Sequence, residues 1–342
     1  MSKESPKYLR TSLAAAMMLG FKTGRFYRNA KLPCINLLLT YTSGCAGNCG
    51  YCGLSMRRPG AYKDKSFIRV EWPIYKLTDI LESISRSGDK VKRVCLSMVT
   101  NKRAIKDTIE ITKIHRQNLD VPLSLLISPT ILDKNHLYSF WENGADMMGI
   151  AVDCATPYLF EKIRGKNVSG PHKWRQYWKC YEDALEIFGR RNVGIHLIVG
   201  LGETEKEMME VIQRSYTMGG STHLFSFFPE PDSSLSKHLQ PPMGQYRRVQ
   251  LARFLIDEGI SSFEDFSFDA HGKLTGFGMT DEDISKIITL GKPFMTSGCP
   301  GRDGEVACNR PYANCLPGPE IRNYPFYPEK EDIEKIKVEL WR

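Results

Sequence analysis

No stretch of this 342-residue chain reaches the roughly 20 consecutive apolar residues of a membrane-spanning helix. Blocks of about five or six like charges are missing as well, although basic residues outnumber acidic ones and leave a net charge of +8. A dispersed excess of that size suits an anionic partner or cofactor and does not by itself indicate nucleic acid. The nearest thing to a basic patch, Arg247-Arg248, lies in a helix-like stretch and reads as a solvated face. There is no repeat of fixed period, no low-complexity tract and no Gly/Ser linker, which excludes solenoids and strings of tethered modules. The N-terminal apolar run SLAAAMMLGF (12–21) is short and has no good cleavage site before the basic FKTGRFYR, so it reads as a packing helix and not a secretion signal.

Hydrophobic residues make up 42% of the chain, enough for a sizeable core in one large α/β domain or two small ones. Strand-like apolar runs alternate with helical patterns eight times. The runs are INLLLTY (35–41), VKRVCLSMV (91–99), PLSLLIS (122–128), ADMMGIAV (145–152), VGIHLIVG (193–200), THLFSFF (222–228), FEDFSFD (263–269) and KPFMTS (292–297). Continuous Val, Ile and Leu without alternation points to parallel strands covered on both faces. Eight such beats predict an α/β fold of the (β/α)8 barrel type. The expected organisation is an N-terminal helical extension over 1–30, the barrel over 31–297, and a C-terminal cluster-binding tail over 298–342.

Ten cysteines are present. Cys45, Cys49 and Cys52 form one group, and Cys299, Cys308 and Cys315 another. Cys34, Cys95, Cys154 and Cys180 stand apart in apolar surroundings and read as inert core thiols. This grouping argues for metal binding over a disulfide framework, hence a reducing, cytoplasmic setting. The groups follow the first and the eighth expected strands. In a closed barrel these strands are neighbours, so both groups are expected at one mouth, on the carboxyl ends of the strands.

The stretch GCAGNCGYCG (44–53) spaces its thiols as C-x3-C-x2-C. A structural zinc site wants four ligands, usually as two close pairs. Three thiolates in a glycine-rich loop can instead hold three irons of a 4Fe–4S cluster and leave the fourth open. Zinc with a distant fourth ligand and chance spacing are the alternatives. The second group, SGCPGRDGEVACNRPYANC (297–315), is irregular and again offers three thiols. Ser297, Asp303, Arg310 or an exogenous group are the candidates for its fourth ligand. A zinc site, loose thiols, or an electron-relaying or structural cluster compete with a functional one.

On CAGNCGYC and VGLGETEKE (199–207) the chain resembles the radical S-adenosylmethionine superfamily over roughly residues 31–290. The resemblance implies a 4Fe–4S cluster on Cys45, Cys49 and Cys52, with S-adenosylmethionine on its open iron. It implies formation of a 5′-deoxyadenosyl radical that abstracts hydrogen from unactivated carbon. It also places Tyr51 near the adenine, Asp153 at the ribose hydroxyls and Arg164 at the methionyl carboxylate. The plain alternatives are packing for Tyr51, a helix N-cap for Asp153 and a surface position for Arg164. The GGE-like motif usual after the second strand is replaced by SMVTN (97–101). Glu203 is expected to help cap the helix after the fifth strand.

The middle of the chain, through VDCATPYLF and IVGLGETEKE, resembles biotin synthase. Of that family's barrel-strand ligands for a second cluster, Cys95 matches one, but Leu or Ser on the third strand and Gly194 on the fifth stand where cysteines are expected, so that site is broken and the C-terminal triad is expected to replace it. The tail FMTSGCPGRDGEVACNRPYANC with IRNYPFYP resembles a subunit of the two-component, archaeal-type lipoyl synthase. That likeness implies sulfur insertion into a protein-bound octanoyl chain, sulfur coming from a second 4Fe–4S cluster on Cys299, Cys308 and Cys315, with Ser297 a candidate fourth ligand. It implies an octanoylated lipoyl carrier domain or peptide, a second homologous subunit and a ferredoxin-like electron donor as partners, with neither nucleic acid nor membrane. The rival enzyme is another biotin synthase-like protein whose second cluster is structural, binds substrate or relays electrons. The rival of another class is a zinc-binding nucleic-acid or scaffold protein, which would interleave basic residues with exposed aromatics near its cysteines.

Overall fold

A computed structural model describes residues 2–66, 70–313 and 320–342. Its strands are β1 (Tyr8–Thr11), β2 (Cys34–Leu39), β3 (Ile74–Lys76), β4 (Arg93–Ser97), β5 (Leu123–Ile127), β6 (Met147–Asp153), β7 (Val193–Val199), β8 (Ser221–Ser226), β9 (Ser267–Phe268) and β10 (Leu274–Gly276). The first eight form one sheet in the order β3-β1-β2-β4-β5-β6-β7-β8. Pairing from β2 through β8 is parallel, and β1 pairs antiparallel with both β2 and β3.

The helices are α1 (Leu13–Met18), α2 (Leu77–Ser87), α3 (Ala104–Asn118), α4 (Lys134–Glu142), α5 (Pro157–Ile163), α6 (Trp174–Phe188), α7 (Glu205–Met218), α8 (Met243–Asp257), α9 (Asp281–Thr289), α10 (Arg310–Ala313) and α11 (Lys330–Leu340). Between β2 and β8, helices α2 to α7 return the chain from one parallel strand to the next, as such a sheet requires. Among the described residues no helix is long and apolar enough to cross a membrane.

The eight-stranded, mostly parallel α/β sheet agrees with the expected barrel type, but its membership differs. The seventh expected run contributes only the two-residue β9, which pairs with β10 in a separate hairpin. The eighth holds a 3-10 turn, Lys292–Phe294. The sheet instead gains β1 and β3, so residues 2–30 supply a strand as well as the short helix α1. The aromatic-rich run 263–269 scored as a strand on composition. Its Phe266 and Phe268 pack outside the parallel sheet, on Phe277 and Phe263.

Each central strand has two different faces. One set, including Ile35, Leu37, Val94, Leu96, Ile150 and Ile195, is aliphatic and almost wholly buried. The alternate set is smaller and more polar, with Asn36, Cys95, Ser97, Ser124, Gly149 and His196. Its members Ser97 and His196 line a central cavity.

The tail closes the open flank of this sheet. Leu224 N–H of the edge strand β8 donates to Ser297 Oγ at 3.1 Å. Across the barrel, Arg93 Nε of β4 donates to Pro300 O, and Asn36 Nδ2 of β2 donates to Asn309 Oδ1 at 3.3 Å. Residues 297–309 therefore run under the amino ends of the strands, from β8 to β2. The reading of Arg247-Arg248 as a solvated face is overturned: both are buried on α8. Arg247 Nε donates to Glu339 Oε2 at 2.9 Å, and Arg248 Nη2 to Glu205 Oε1 at 2.6 Å. Arg248 Nη1 also donates to Leu340 O at 2.6 Å. The pair thus fastens α11 onto α7 and α8.

Candidate active site

The loop after β2 carries the first cysteine group to the carboxyl end of the sheet. Tyr41 ends the strand's apolar run, and Gly44 turns the chain with φ 71°, a conformation costly for other residues. The loop is tied down by its backbone. Ala46 N–H donates to Thr100 O at 2.8 Å, Gly50 N–H to Ile163 O at 2.7 Å, and Leu235 N–H to Gly50 O at 2.9 Å. The segment SMVTN, which stands in place of the expected GGE-like motif, is thus part of what holds the loop. Asn101 Nδ2 adds a bond to Gly44 O at 3.1 Å.

Cys45, Cys49 and Cys52 line one cavity together. Gly47 N–H points at Cys45 Sγ (3.4 Å) and Leu54 N–H at Cys52 Sγ (3.5 Å). Burial, and then the neighbouring Cys49 sulfur, push the Cys45 and Cys52 thiols up. Three crowded thiols, two of them resisting ionisation on their own, fit a cationic metal centre, which deprotonates its ligands. Among the described residues no three His, Cys, Asp or Glu converge as a single-ion site. An iron–sulfur cluster makes no such demand, because each thiolate binds a different iron.

Tyr51, Asp153 and Arg164, expected from separate stretches, meet on this cavity. The Tyr51 hydroxyl donates to Asp153 Oδ2. Arg164 Nη1 lies 2.9 Å from the same oxygen and also donates to the Ala151 and Val152 carbonyls. Asp153 ends β6 with φ 64°, which turns the chain out of the strand. It is not a helix N-cap: Thr156 caps α5. Arg164 is buried, not on the surface. Burial pushes the Asp153 carboxyl up while Arg164 and Tyr51 pull it back, and Arg164 is held firmly in its charged form by Tyr177, Tyr51 and Asp153 against its own burial.

His172 belongs to the site and was missed in the sequence, where a lone histidine in SGPHKW carries no spacing signal. Its Nδ1 is hydrogen-bonded to Tyr177 Oη at 3.0 Å, and that oxygen accepts from Arg164 Nη2 at 3.1 Å. Burial first, then Arg164, press its pKa down to about 2, so the imidazole is neutral. A Cβ on Gly47 would lie 2.9 Å from His172 Nε2. The glycine is needed there because the ring presses against the cysteine loop.

The cavity holds about 1100 Å3 of empty space, counting its open mouth. Much of its wall is apolar: Leu38, Leu54, Met98, Ile198, Phe225 and Phe227. Glu203 lies beyond it. Its carboxylate accepts from Gly200 N–H (2.6 Å) and Leu201 N–H (2.9 Å), folding the loop after β7. It does not cap α7, whose N-cap is Thr204 in a capping box with Glu207. Burial pushes Glu203 up to about 7, against the lowering pull of those N–H groups.

A folded-state pKa above the unfolded one means the native state binds the proton more tightly, so stability falls as pH rises between the two. From 4.5 to about 7 the wild type will lose roughly 3 kcal/mol relative to Glu203→Gln. Urea unfolding of both proteins at pH 5 and pH 7.5 measures this, and parallel pH profiles would refute it.

The second cysteine group is not at this mouth. Cys299 and Cys308 lie at the opposite, amino ends of the strands, because the tail enters from below. Cys315 falls outside the described residues. Ser297 Oγ is engaged by Leu224 N–H, and Asp303 pairs with Lys92 on the surface. Arg310 reaches up the barrel interior and lines the central cavity, where its Nη2 donates to Ser97 Oγ at 2.6 Å. Cys34 and Cys95, expected to be inert, border Cys308 and Cys299 instead. Cys154 and Cys180 are buried as expected.

Biotin synthase of Brucella anthropi is 22% identical over 293 residues, spanning 80% of this chain and 78% of its own. Among solved structures, the FeFe-hydrogenase maturase HydG superposes with a TM-score of 0.53 at 14% identity, covering 71% of this chain and 53% of that one. Methylornithine synthase gives 0.49 at 15% identity, over 79% and 80% of the two chains. Residues 39–214, more than half of the chain, match the model of the radical SAM superfamily. With its cysteine loop at the carboxyl end of the sheet and the Tyr51–Asp153–Arg164 cluster beside it, the chain belongs to the radical SAM superfamily.

Proposed function

We propose that this enzyme inserts sulfur into an unactivated C–H bond of a protein-bound octanoyl chain, as one subunit of a two-component lipoyl synthase. The observation that carries this reading is the placement of two cysteine groups at opposite ends of one barrel, with an apolar cavity between them and Arg310 reaching from one toward the other. When bound, S-adenosylmethionine on a reduced 4Fe–4S cluster supplies a 5′-deoxyadenosyl radical that takes the C–H hydrogen, and a second cluster supplies sulfide and accepts the electron released on C–S bond formation.

The chain's own residues do the rest. Cys45, Cys49 and Cys52 hold the first cluster. Tyr51, Asp153 and Arg164 orient the cofactor, with Asp153 as hydrogen-bond acceptor and Arg164 as a fixed cation. Leu38, Ile198, Phe225 and Phe227 offer an alkyl chain an apolar wall that excludes water. The similarity to biotin synthase, whose 22% identity extends over most of both chains, supports the sulfur chemistry. Docking of an octanoylated carrier domain, a homologous partner subunit and a ferredoxin-like donor complete the proposal. The net charge of +8 suits an acidic carrier.

The test is anaerobic turnover of an octanoylated carrier peptide, with the protein's clusters assembled from 34S-sulfide. Mass spectrometry is expected to find 34S in the peptide and 5′-deoxyadenosine beside it. Deoxyadenosine with no sulfur in the product would instead assign the second group to electron relay or structure.

A further inference from the structure

At the amino ends of the strands, four cysteines from three separate stretches come together. Cys34 opens β2 and Cys95 lies in β4. The strands pair in register, Cys34 beside Arg93 and Asn36 beside Cys95. Leu38 and Ser97 of the same strands line the cavity, so alternation turns Cys34 and Cys95 toward the barrel interior as well. From the tail, Asn309, next to Cys308, accepts from Asn36 Nδ2 at 3.3 Å, and Cys34 Sγ lies 3.8 Å from Asn36 Oδ1, so that Cys308 comes beside Cys34. Cys299 O accepts from Cys308 N–H at 3.1 Å, and its thiol neighbours both Cys308 and Cys95. All four thiols are free.

The polar groups around them point the same way. Arg310 is 1% exposed. Its Nη2 donates to Ser97 and approaches Cys95 Sγ at 3.5 Å, but its Nε and Nη1 have no hydrogen-bond partner. Among the described residues no carboxylate pairs with it. Asn309 Nδ2, next in the chain, is also buried without a partner. A buried guanidinium without a counter-ion is strongly unfavourable, as are orphaned N–H donors. An anion with several acceptor atoms satisfies all of them at once. Thiolates around an iron–sulfur core form such an anion, its sulfides accepting N–H bonds.

We propose that Cys34, Cys95, Cys299 and Cys308 are the ligands of the second iron–sulfur site, and that Arg310 is the cation standing between it and the cavity. The role of the site rests on the sulfur-insertion reading; its existence does not. Two barrel strands and the tail then share one cluster, which binds the tail to the sheet.

The experiment uses the full chain with Cys45, Cys49 and Cys52 replaced by Ala, so that all remaining iron belongs to the second site. Iron and labile sulfide are counted after anaerobic reconstitution, and the reduced protein is examined by electron paramagnetic resonance. Adding Cys34→Ala and Cys95→Ala is expected to lower the iron at least about tenfold, the cost that removal of even an outer-shell partner reaches. Adding Cys154→Ser is expected to leave it unchanged. If the double variant does not fold, the single replacements Cys34→Ser and Cys95→Ser keep the assignment testable. Serine is of nearly equal size, and each will shift the resonance if an oxygen has replaced a sulfur on iron.

Full iron and an unaltered spectrum in the Cys34 and Cys95 variants, with loss in Cys299→Ser, Cys308→Ser and Cys315→Ser, would overturn this ligand set. The sulfur-insertion reading would then stand on the tail cysteines alone. No second-site iron in any background would overturn both.

Discussion

Replacement of Cys45, Cys49 and Cys52 by Ala will remove one cluster's iron and end the cleavage of S-adenosylmethionine. The loss will exceed the roughly 10–100-fold cost of removing an outer-shell partner of a metal site, because the electron that cleaves the sulfonium has no other source. The fold will survive. The loop is held by Ala46 N–H on Thr100 O, Gly50 N–H on Ile163 O and Asn101 Nδ2 on Gly44 O, none of which uses a thiol. Removing three thiols that carry none of these bonds costs the apo chain little. Iron content, 5′-deoxyadenosine by chromatography and far-ultraviolet circular dichroism on the same preparations decide the matter. Undiminished deoxyadenosine from the triple variant would sink the assignment of the loop.

Asp153→Ala will destabilise the protein by about 3–5 kcal/mol, the range for breaking a buried ion pair from one side. The variant strands Arg164, a buried cation whose other polar contacts are carbonyls and the Tyr177 hydroxyl. Arg164 Nε already lacks a partner. The Tyr51 hydroxyl loses its acceptor too. Position 153 has φ 64°, where alanine pays a further steric penalty on the order of 1 kcal/mol. Asp153→Asn separates these contributions. Asparagine tolerates that conformation and still accepts from Tyr51, so it retains more stability while losing the charge that fixes Arg164. Urea unfolding of wild type and both variants at pH 7 checks this. A Asp153→Ala protein as stable as wild type would show that Arg164 is not held by the pair.

Several features were legible in the residues because they depend only on local spacing. The C-x3-C-x2-C loop is one, since three thiols within eight residues must lie close whatever the fold does around them. The parallel strands from β2 to β8 are another, because unbroken aliphatic runs need cover on both faces. Tyr51, Asp153 and Arg164 were found through resemblance, and they converge. His172 was not found, because what makes it part of the site is a ring packed against Gly47 and a bond to Tyr177, both far from any sequence pattern.

The tail shows where local reading ends. Order along the chain placed the second cysteine group at the same mouth as the first, on the assumption that an eighth strand closes the barrel. KPFMTS has the apolar content of a strand, but Gly291 and Pro293 turn it into a 3-10 segment, and the flank is closed by side-chain and tail bonds at Ser297 and Asn309. Arg247 and Arg248 are a second case. A basic pair on a helix is solvated unless carboxylates come to it, and Glu205 and Glu339 arrive from 43 and 92 residues away.

The sequence by itself determined the chemistry at the first site: the ligand type, the number of thiols and the loop that bears them, all set by neighbours in the chain. Tertiary structure alone decided which end of the barrel receives the other cysteines, and that Cys34 and Cys95 meet them there. The physical reason is that inward-facing positions on parallel strands become neighbours only when the sheet curls and the tail is drawn beneath it, which brings together residues more than 200 positions apart.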